Sequence, residues 1–317
     1  MISTDRRFEL VGINDLYNFS QMAALLQYDS VYGRFAESVR VEAQTMYIGD
    51  RPVALFCEAS PHRLPLATLQ TDIVLACCGM FLTQEACTPF LEAGAKRVIV
   101  STPPKDDMPV FIYGINHTAY VKESILSNSS CSANAIVPIL QTVDHFAPVE
   151  AATFSMYHSY TAYQRLLDGG HYSKDIRRCR SGTQNIIPLE STAVSAVACF
   201  FPKLRTKLYA KSIRVPLAAT TRYDLTFKLG RGIDYDAFEA YLAKRIAEDR
   251  FGILTLDAET KVSSDYIASP FSAVIDRHAL MLIGDDLLKI GAWQDNEYGY
   301  AARLVDMAVV VGGSLMK

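Results

Sequence analysis

The segment over residues 71–102 constrains the fold of this chain more than any other. It reads TDIVLACCG, then TQEACTPFLEAGA, then KRVIVST, which predicts a buried strand, a helix and a second buried strand. Two strands joined through a helix form a βαβ unit, in which the strands run parallel in one sheet. The sequence therefore predicts an α/β domain with a parallel sheet in the first half of the chain.

The remaining segments predict elements of two kinds. FELVGIND predicts a buried strand that ends at Asn14 and Asp15, and FSQMAALLQY has the spacing of a helix. From about residue 147 the chain changes to long β-rich runs typical of antiparallel strands with one covered face. YDAFEAYLAKRIAED and the final YAARLVDMAVVVGG predict helices. Because 317 residues are too many for one ordinary core, we expect two domains.

Composition argues against several classes of protein. The net charge is −3 and, apart from RRCR, the Lys and Arg residues are scattered, so we expect no nucleic-acid partner and no membrane. No apolar run approaches the roughly 18 residues of a membrane span, and MISTDRRFEL lacks the apolar core of a signal peptide. The seven cysteines show no CxxC or zinc-like spacing, which predicts reduced thiols, a cytoplasmic protein and no metal site.

Cys131 lies in SNSSCSANAIVPIL, a turn rich in Ser and Asn that is followed by apolar residues close to helical spacing. Ser and Asn are favoured helix caps, which predicts a helix that starts near Cys131 and is kinked by Pro138. The macrodipole at a helix start favours the thiolate, so Cys131 is a candidate nucleophile. Because cysteine is also among the most buried residue types, a packing role is the alternative.

Histidine and arginine residues supply the other candidates. His158 lies where the predicted strand in TFSMYHSYTAYQ gives way to a polar turn, and it is a candidate base for Cys131; a structural histidine is the alternative. Three arginines crowd the polar segment RRCRSGTQNIIPLEST, namely Arg177, Arg178 and Arg180. Arg214 interrupts the apolar strand in SIRVPL, where it needs a partner, and a phosphate or a carboxylate would serve.

Five motifs occur in the order SNSSCSAN, MYHSYTAYQ, RRCRSGTQNIIP, IRVP and WQDNEYGY. From about residue 10 to the C-terminus, the chain resembles the phosphorylating glyceraldehyde-3-phosphate dehydrogenase family, which includes erythrose-4-phosphate dehydrogenase. The family pattern around the thiol is SxASCTTNC, and the chain keeps Ser127, Ser130, Cys131 and Asn134. Ser132 replaces the first threonine of that pattern and keeps a hydroxyl group.

The resemblance implies an enzyme that uses NAD. Cys131 would attack the aldehyde of a phosphorylated substrate to give a thiohemiacetal, and His158 would take its proton and assist hydride departure to the nicotinamide. Inorganic phosphate would then cleave the resulting thioester to an acyl phosphate. The implied fold is an incomplete Rossmann-type NAD-binding domain followed by an α+β catalytic domain with a mostly antiparallel sheet.

Seven residues match the family's positions for the substrate phosphate and the attacking phosphate: Ser130, Ser132, Thr161, Arg178, Ser191, Thr192 and Arg214. Thr161 and Arg214 match the substrate-phosphate site, and Arg214 also matches the attacking-phosphate site. The family has Thr-Gly where this chain has Ser191 and Thr192. Erythrose-4-phosphate enzymes tend to lack the threonine at position 161, so its presence favours a triose phosphate.

Five residues match cofactor contacts. Asp15, at the end of a predicted strand, matches the carboxylate that binds the adenosine ribose, which favours NAD over its 2′-phosphorylated form. Asn14 and Ser101 match neighbouring contacts. Asn296 matches the amide that orients the nicotinamide, and Tyr300 lies close to it in sequence.

The resemblance divides the chain into an NAD-binding domain over residues 1–130, completed by a C-terminal helix over 297–317, and a catalytic domain over 131–296. The family begins with a strand, a glycine-rich turn and a helix, for which the 13 residues before Asn14 are too few. In the 3-2-1-4-5-6 strand order the absent strand is a central one, which predicts a gap through the sheet and weak binding of NAD.

Two explanations of this short start compete. The sequence could be a shortened version of a working enzyme, or it could be a short relative that acts through association with other proteins. The family usually forms homotetramers, so the resemblance implies a homo-oligomer in either case.

Overall fold

Two compact units make up the chain in a computed structural model, which describes residues 1–315. Unit 1 contains Met1–Ser129 and the described part of Arg303–Lys317, and unit 2 contains Ser130–Ala302. Within residues 1–315, no helix is both long enough and apolar enough to cross a membrane.

The strands and helices follow one another in this order: β1 (Gly12–Asn14), α1 (Phe19–Gln27), β2 (Tyr28–Asp29), β3 (Gly33–Arg34), β4 (Val39–Glu42), β5 (Thr45–Ile48), β6 (Arg51–Phe56), β7 (Ile73–Ala76), α2 (Gln84–Glu92), β8 (Arg97–Val100), β9 (Ile125–Ser127), α3 (Cys131–Phe146), β10 (Val149–Ser159), β11 (Ile187–Glu190), α4 (Ala193–Ala198), β12 (Leu208–Val215), β13 (Thr221–Leu229), α5 (Tyr235–Ala247), β14 (Leu254–Asp257), β15 (Ala273–Ile283), β16 (Leu287–Gln294) and α6 (Tyr298–Leu315).

The parallel strands of unit 1 lie in two separate sheets. The first has the order β1-β6-β5-β4, in which β1 is parallel to β6 and the other neighbours are antiparallel. The second has the order β7-β8-β9 and is parallel throughout. β1 is the end strand of the first sheet and β7 is the end strand of the second. This separation of the two sheets agrees with the gap predicted where the family has a central strand.

The predicted βαβ unit is confirmed as β7, α2 and β8. Val98 and Val100 pack with Phe90 of α2, whereas the alternate residue Ile99 packs with Met307 of α6. The β7-β8-β9 sheet is thus covered by helices on both faces, which is why its strands are apolar on both sides.

The strand predicted for FELVGIND is shorter than expected, because only Gly12–Asn14 pair with a neighbour. Phe8 packs in the cluster around Met307, while Leu10 and Ile13 pack in the core of the first sheet. The chain therefore crosses between two cores over these residues before it enters β1.

Unit 2 is built on a seven-stranded sheet with the order β11-β12-β10-β13-β16-β15-β14. Two neighbouring pairs are parallel and four are antiparallel, so the prediction of a mostly antiparallel sheet is confirmed. α3 packs against α5 and against β15 of the sheet. α3 begins at Cys131, as the capping pattern predicted, and contains Pro138.

Candidate active site

Four strands of unit 2 present one residue each in a row across the sheet. His158 of β10 is paired with Arg214 of β12 on one side and with Thr221 of β13 on the other, and Thr221 is paired with Gln294 of β16. Directly paired residues point to the same face of a sheet, so the four side chains lie side by side. Their order across the sheet is Arg214, His158, Thr221 and Gln294.

Cys131 is fixed as the first residue of α3. Ser130 is the N-cap, and its hydroxyl accepts a hydrogen bond from the backbone amide of Ala133 at 3.1 Å. The Asn134 side chain donates to the carbonyl of Ser130 at 3.0 Å. The first bond gives a partner to an amide that a helix start leaves without one, and the second adds to the bond that the Ser130 carbonyl already accepts from the Asn134 amide at 3.0 Å, so both hold the first turn in place.

The structure brings the predicted nucleophile and base together. The Sγ atom of Cys131 lies 3.8 Å from Nε2 of His158. The Nδ1 atom of His158 lies 2.8 Å from the backbone carbonyl of Ser159, and a carbonyl can only accept, so Nδ1 carries the proton. Nε2 therefore presents its lone pair to the thiol and can accept the thiol proton.

Burial favours the neutral form of both members of this pair. It raises the pKa of the Cys131 thiol, against the smaller lowering effects of the Ser132 hydroxyl and Arg214. Burial, together with the charge of Arg214, lowers the pKa of His158 to about 3. The pKa of Cys131 therefore shifts in the direction opposite to the one that the helix-start argument predicted. The helix macrodipole contributes about 1 kcal/mol or less at a typical site, which is small against the cost of burying a charge.

Arg214 supplies a positive charge beside the pair. Its Nη1 donates to the carbonyl of Ser159 at 3.0 Å, and no ion pair joins it to a carboxylate anywhere in residues 1–315. Burial lowers the pKa of Arg214, and the positive charge of Arg178 lowers it further. Two guanidinium groups that repel each other in this way form a favourable place for an anion.

The three arginines of RRCR have different partners. Arg177 pairs with Asp175 at 2.8 Å, and Arg180 pairs with Asp168 at 2.8 Å. Arg178 instead lies over the ring of Tyr163, with 5.7 Å from its guanidinium carbon to the ring centroid. Of the three, Arg178 is thus the one that lies near Arg214 without a carboxylate partner.

Among the other predicted substrate residues, the Ser132 hydroxyl lies 4.0 Å from the Cys131 sulfur. Thr161 is half-buried and follows the end of β10. The Ser191 hydroxyl accepts from the backbone amide of Ala193 at 3.0 Å, and Thr192 is the exposed residue before α4.

Asn296 is held in one orientation. Its Oδ1 accepts hydrogen bonds from the hydroxyls of Ser159 at 3.0 Å and Thr221 at 3.3 Å, so its amide nitrogen forms the opposite, donating end. The neighbouring Asp295 is buried and accepts from the backbone amides of Tyr298 at 2.9 Å and Ala268 at 2.8 Å. This capping carboxylate fixes the start of α6, which carries the half-buried Tyr300 in its first turn.

Unit 1 places its predicted cofactor residues at the carboxyl ends of parallel strands. Asp15 follows β1 and is exposed, and Ser101 follows β8, where its hydroxyl donates to the carbonyl of Ala76 at 3.3 Å. Asn14 bonds twice to the backbone of Glu58, at 3.0 and 2.9 Å, and so joins the ends of β1 and β6. Doubly wound sheets bind dinucleotides at this edge.

The residues present fit two parts of NAD. The exposed carboxylate of Asp15 can accept hydrogen bonds from ribose hydroxyls, and the fixed donor end of Asn296 suits a carboxamide oxygen. The turn after β1 reads DLYN and contains no glycine, and it is closed by Asn18, whose side chain accepts from the amide of Ser20 at 2.8 Å. Glycines are the residues that allow backbone to approach a pyrophosphate, so this turn does not supply that contact.

Comparison with known proteins gives the family. Sequence models described as "Glyceraldehyde 3-phosphate dehydrogenase, NAD binding domain" and "Glyceraldehyde 3-phosphate dehydrogenase, C-terminal domain" match residues 1–84 and 130–296. The chain belongs to the glyceraldehyde-3-phosphate dehydrogenase family. Its members are NAD-dependent dehydrogenases, and the resemblance drawn from the five motifs is confirmed.

Individual family members match nearly the whole chain. The glyceraldehyde-3-phosphate dehydrogenase of Chlamydia pneumoniae is 37% identical over 302 residues, covering 94% of this chain and 90% of its own length. A chloroplastic one from Arabidopsis thaliana is 35% identical over 312 residues, covering 98% and 78%. A cytosolic one from Leishmania mexicana is 35% identical over 299 residues, covering 94% and 90%.

Four residues of the site were missed by the sequence analysis: Ser159, Thr221, Tyr223 and Gln294. The first two orient Asn296. Gln294 donates to the backbone carbonyl of Cys131, and Tyr223 donates to Gln294. The one signal in the sequence is that Gln294 immediately precedes Asp295 and Asn296, whereas Tyr223 looks like an ordinary strand residue.

Proposed function

We propose that the chain oxidises a phosphorylated aldehyde with NAD and inorganic phosphate, and that glyceraldehyde 3-phosphate is the substrate. The observation that supports this best is the 3.8 Å approach of the Cys131 sulfur to Nε2 of His158, beside an arginine without a carboxylate partner. A thiol, a base with its lone pair directed at the thiol, and an anion site are the three components that this reaction needs.

The first step is addition of the thiol to the aldehyde. As the sulfur forms a bond to the aldehyde carbon, Nε2 of His158 takes the thiol proton and passes it to the oxygen, giving a thiohemiacetal. Burial disfavours the imidazolium form of His158, so the ring holds the proton only briefly, while the sulfur–carbon bond forms and the aldehyde oxygen becomes the acceptor.

Oxidation and release follow on the same sulfur. Bound NAD supplies the acceptor for the hydride that leaves the carbon. His158 takes the hydroxyl proton as the carbonyl of the thioester forms. An oxygen of inorganic phosphate then attacks the thioester carbon, the carbon–sulfur bond breaks, and the sulfur regains a proton as the acyl phosphate leaves.

Charged and hydroxyl side chains are assigned to the two phosphates. Arg214 and Arg178 bind the phosphate groups, because neither has a carboxylate partner and their charges repel each other when the site holds no anion. The hydroxyls of Ser130, Ser132, Thr161, Ser191 and Thr192 complete these sites. Thr161 supports a triose phosphate over erythrose 4-phosphate, which is the alternative substrate.

The two parts of the chain are assigned different tasks. Residues 1–130 with the helix over 297–317 hold NAD through Asn14, Asp15 and Ser101, and residues 131–296 carry the chemistry. Asn296 and Tyr300 hold the nicotinamide. Such an enzyme acts in glycolysis in the cytoplasm.

Assembly into a homo-oligomer, such as a tetramer, is supported by apolar side chains exposed on one face of the seven-stranded sheet. Strand register places Tyr157, Tyr209, Met281 and Ile283 on the face opposite Tyr223, and all four are exposed. Exposed apolar side chains grouped on one sheet face are typical of subunit interfaces.

Production of NADH by the purified chain tests the proposal. The reaction contains glyceraldehyde 3-phosphate, phosphate and several concentrations of NAD, and erythrose 4-phosphate is assayed in parallel. Cys131→Ser and His158→Asn should reduce kcat by about 10² to 10⁴-fold. Cys199→Ser, which removes an exposed thiol elsewhere, should leave it unchanged. Absence of turnover with both aldehydes would favour the alternative of a non-catalytic relative.

A further inference from the structure

The side-chain amide of Gln294 is held at both ends by groups of the active-site unit. Its Oε1 accepts a hydrogen bond from the Tyr223 hydroxyl at 2.8 Å. Its Nε2 donates to the backbone carbonyl of Cys131 at 3.2 Å. Tyr223 and Gln294 are both completely buried, so water does not compete for these bonds.

The chemistry of the partners fixes the direction of each bond. The carbonyl of Cys131 can only accept, so the nitrogen end of the Gln294 amide must face it. The oxygen end then faces Tyr223, whose hydroxyl must donate. The chain of two bonds thus runs from the Tyr223 hydroxyl through the Gln294 amide to the Cys131 carbonyl.

We propose that Tyr223 and Gln294 are positioning residues for the Cys131 thiol, and that Tyr223 acts through Gln294. The tyrosine hydroxyl orients the amide, the amide holds the carbonyl of the first residue of α3, and the sulfur is thereby kept within reach of His158. Neither residue touches the reacting atoms in this scheme. The inference deepens the proposed dehydrogenase function and rests on it for its catalytic meaning.

Strand geometry explains why this pair can act together. Gln294 lies in the row that contains His158, and Tyr223 lies two residues beyond Thr221 on β13, which points it to the same face. Both side chains therefore rise from a paired region of the sheet whose own position is fixed. A rigid sheet is a better support for a reactive helix start than a loop.

A purely structural role is the competing explanation, since a buried tyrosine hydroxyl needs a partner wherever it lies. Tyr266 provides the matched comparison. It is buried in the same unit, and its ring stacks on Trp293 with centroids 5.1 Å apart. Burial and the nearby charge of Asp257 raise the pKa of Tyr266 to about 12. Tyr266→Phe removes the same group from a buried place that lies outside the chain of bonds through Gln294.

The experiment measures alkylation of Cys131 by iodoacetamide as a function of pH, followed by mass spectrometry of its peptide. In Tyr223→Phe the apparent pKa of Cys131, measured from the alkylation rate, should rise. The rate at neutral pH should then fall roughly threefold to tenfold, since a rise of one pKa unit reduces the thiolate fraction tenfold. kcat should fall by a similar factor while KM for the aldehyde stays within about twofold. Tyr266→Phe should lose as much thermal stability as Tyr223→Phe but keep the wild-type dependence of alkylation on pH.

A double-mutant cycle tests whether Tyr223 acts through Gln294. Gln294→Met keeps the length of the side chain and removes both hydrogen bonds, so it should slow alkylation at least as much as Tyr223→Phe. Adding Tyr223→Phe to Gln294→Met should then have no further effect. If the two losses multiply, or if Tyr223→Phe has the same profile as Tyr266→Phe, the proposal is wrong.

The outcome is separable from that of the proposed function. Alkylation needs no aldehyde, phosphate or NAD, so it reports on the position of the thiol even in a chain that shows no turnover. A wild-type chain without dehydrogenase activity would refute the function and leave the alkylation cycle intact. An active wild type with an unchanged Tyr223→Phe profile would refute the positioning role alone.

Discussion

Nε2 of His158 faces the Cys131 sulfur at 3.8 Å, while the proton of the ring is held at Nδ1 by the carbonyl of Ser159. The pair is therefore arranged for proton transfer from sulfur to nitrogen, and both groups start neutral. This differs from a standing thiolate–imidazolium pair in ways that can be measured.

The pH dependence of Cys131 alkylation distinguishes the two states. Because burial raises the pKa of this thiol and lowers that of His158, the rate in the free protein should keep rising with pH through pH 8. A thiolate–imidazolium pair would instead give a plateau that begins below neutral pH. Labelling followed by mass spectrometry of the Cys131 peptide gives the rate, and the exposed Cys199 in the same sample controls for reagent decay.

Acid should destabilise the protein through His158. Its pKa is about 3 in the folded protein against 6.5 for the unperturbed group, so the unfolded chain binds the proton first as pH falls. Stability is complete above pH 6.5 and should fall by about 1.4 kcal/mol per pH unit between pH 6 and 4 from this residue. Urea denaturation across this range should show that the free energy of unfolding falls less steeply with decreasing pH in His158→Gln than in the wild type. The exposed His145→Gln should retain the wild-type slope, and equal slopes in all three proteins would contradict the assignment.

Arg214→Gln should weaken binding of phosphorylated substrate. Loss of the half-buried guanidinium that is proposed to bind a phosphate should raise KM by roughly 10-fold to 100-fold, since charged hydrogen bonds contribute about 1.5 to 3 kcal/mol. The pKa of His158 should rise as well, because the charge of Arg214 lowers it. Steady-state kinetics and NMR titration measure the two effects. Arg177→Gln, which removes an arginine paired with Asp175, should change KM by less than about twofold.

NAD should bind weakly, with a Kd above about 0.1 mM by calorimetry. The reason is that β1 and β7 each stand at the end of a separate sheet, which interrupts the sheet edge where doubly wound folds bind dinucleotides. Asp15→Asn should weaken NAD binding further. It should also reduce the preference of the protein for NAD over the 2′-phosphorylated cofactor, since the carboxylate repels that phosphate. Asp50→Asn, at the opposite end of β6, is the control. Tight binding of NAD by the unaltered chain would show that the cofactor site is formed in another way.

Helices and strands whose ends are set by residues close together in the sequence were predicted correctly. The Ser and Asn residues before Cys131 cap α3, and the helix begins where the capping pattern placed it. The βαβ unit over residues 71–102 was likewise visible, because periodicity and helix caps are properties of short segments.

Long-range features were not visible in the same way. The row of Arg214, His158, Thr221 and Gln294 depends on strand register, which is set by residues far apart in the chain. The protonation of Cys131 depends on burial by the rest of the unit, so a local helix-start rule gave the wrong sign. Tyr223 was missed because nothing in its own segment distinguishes a positioning hydroxyl from a packed ring.

The bond between Gln294 and the Cys131 carbonyl joins residues 163 positions apart. During synthesis, the reactive helix start is therefore made long before the glutamine that holds it emerges from the ribosome. A growing or prematurely terminated chain contains the cysteine but lacks its support, and closing so long a loop is slow. The position of this sulfur beside His158 is thus a late property of the folding chain, acquired only when β16 has docked.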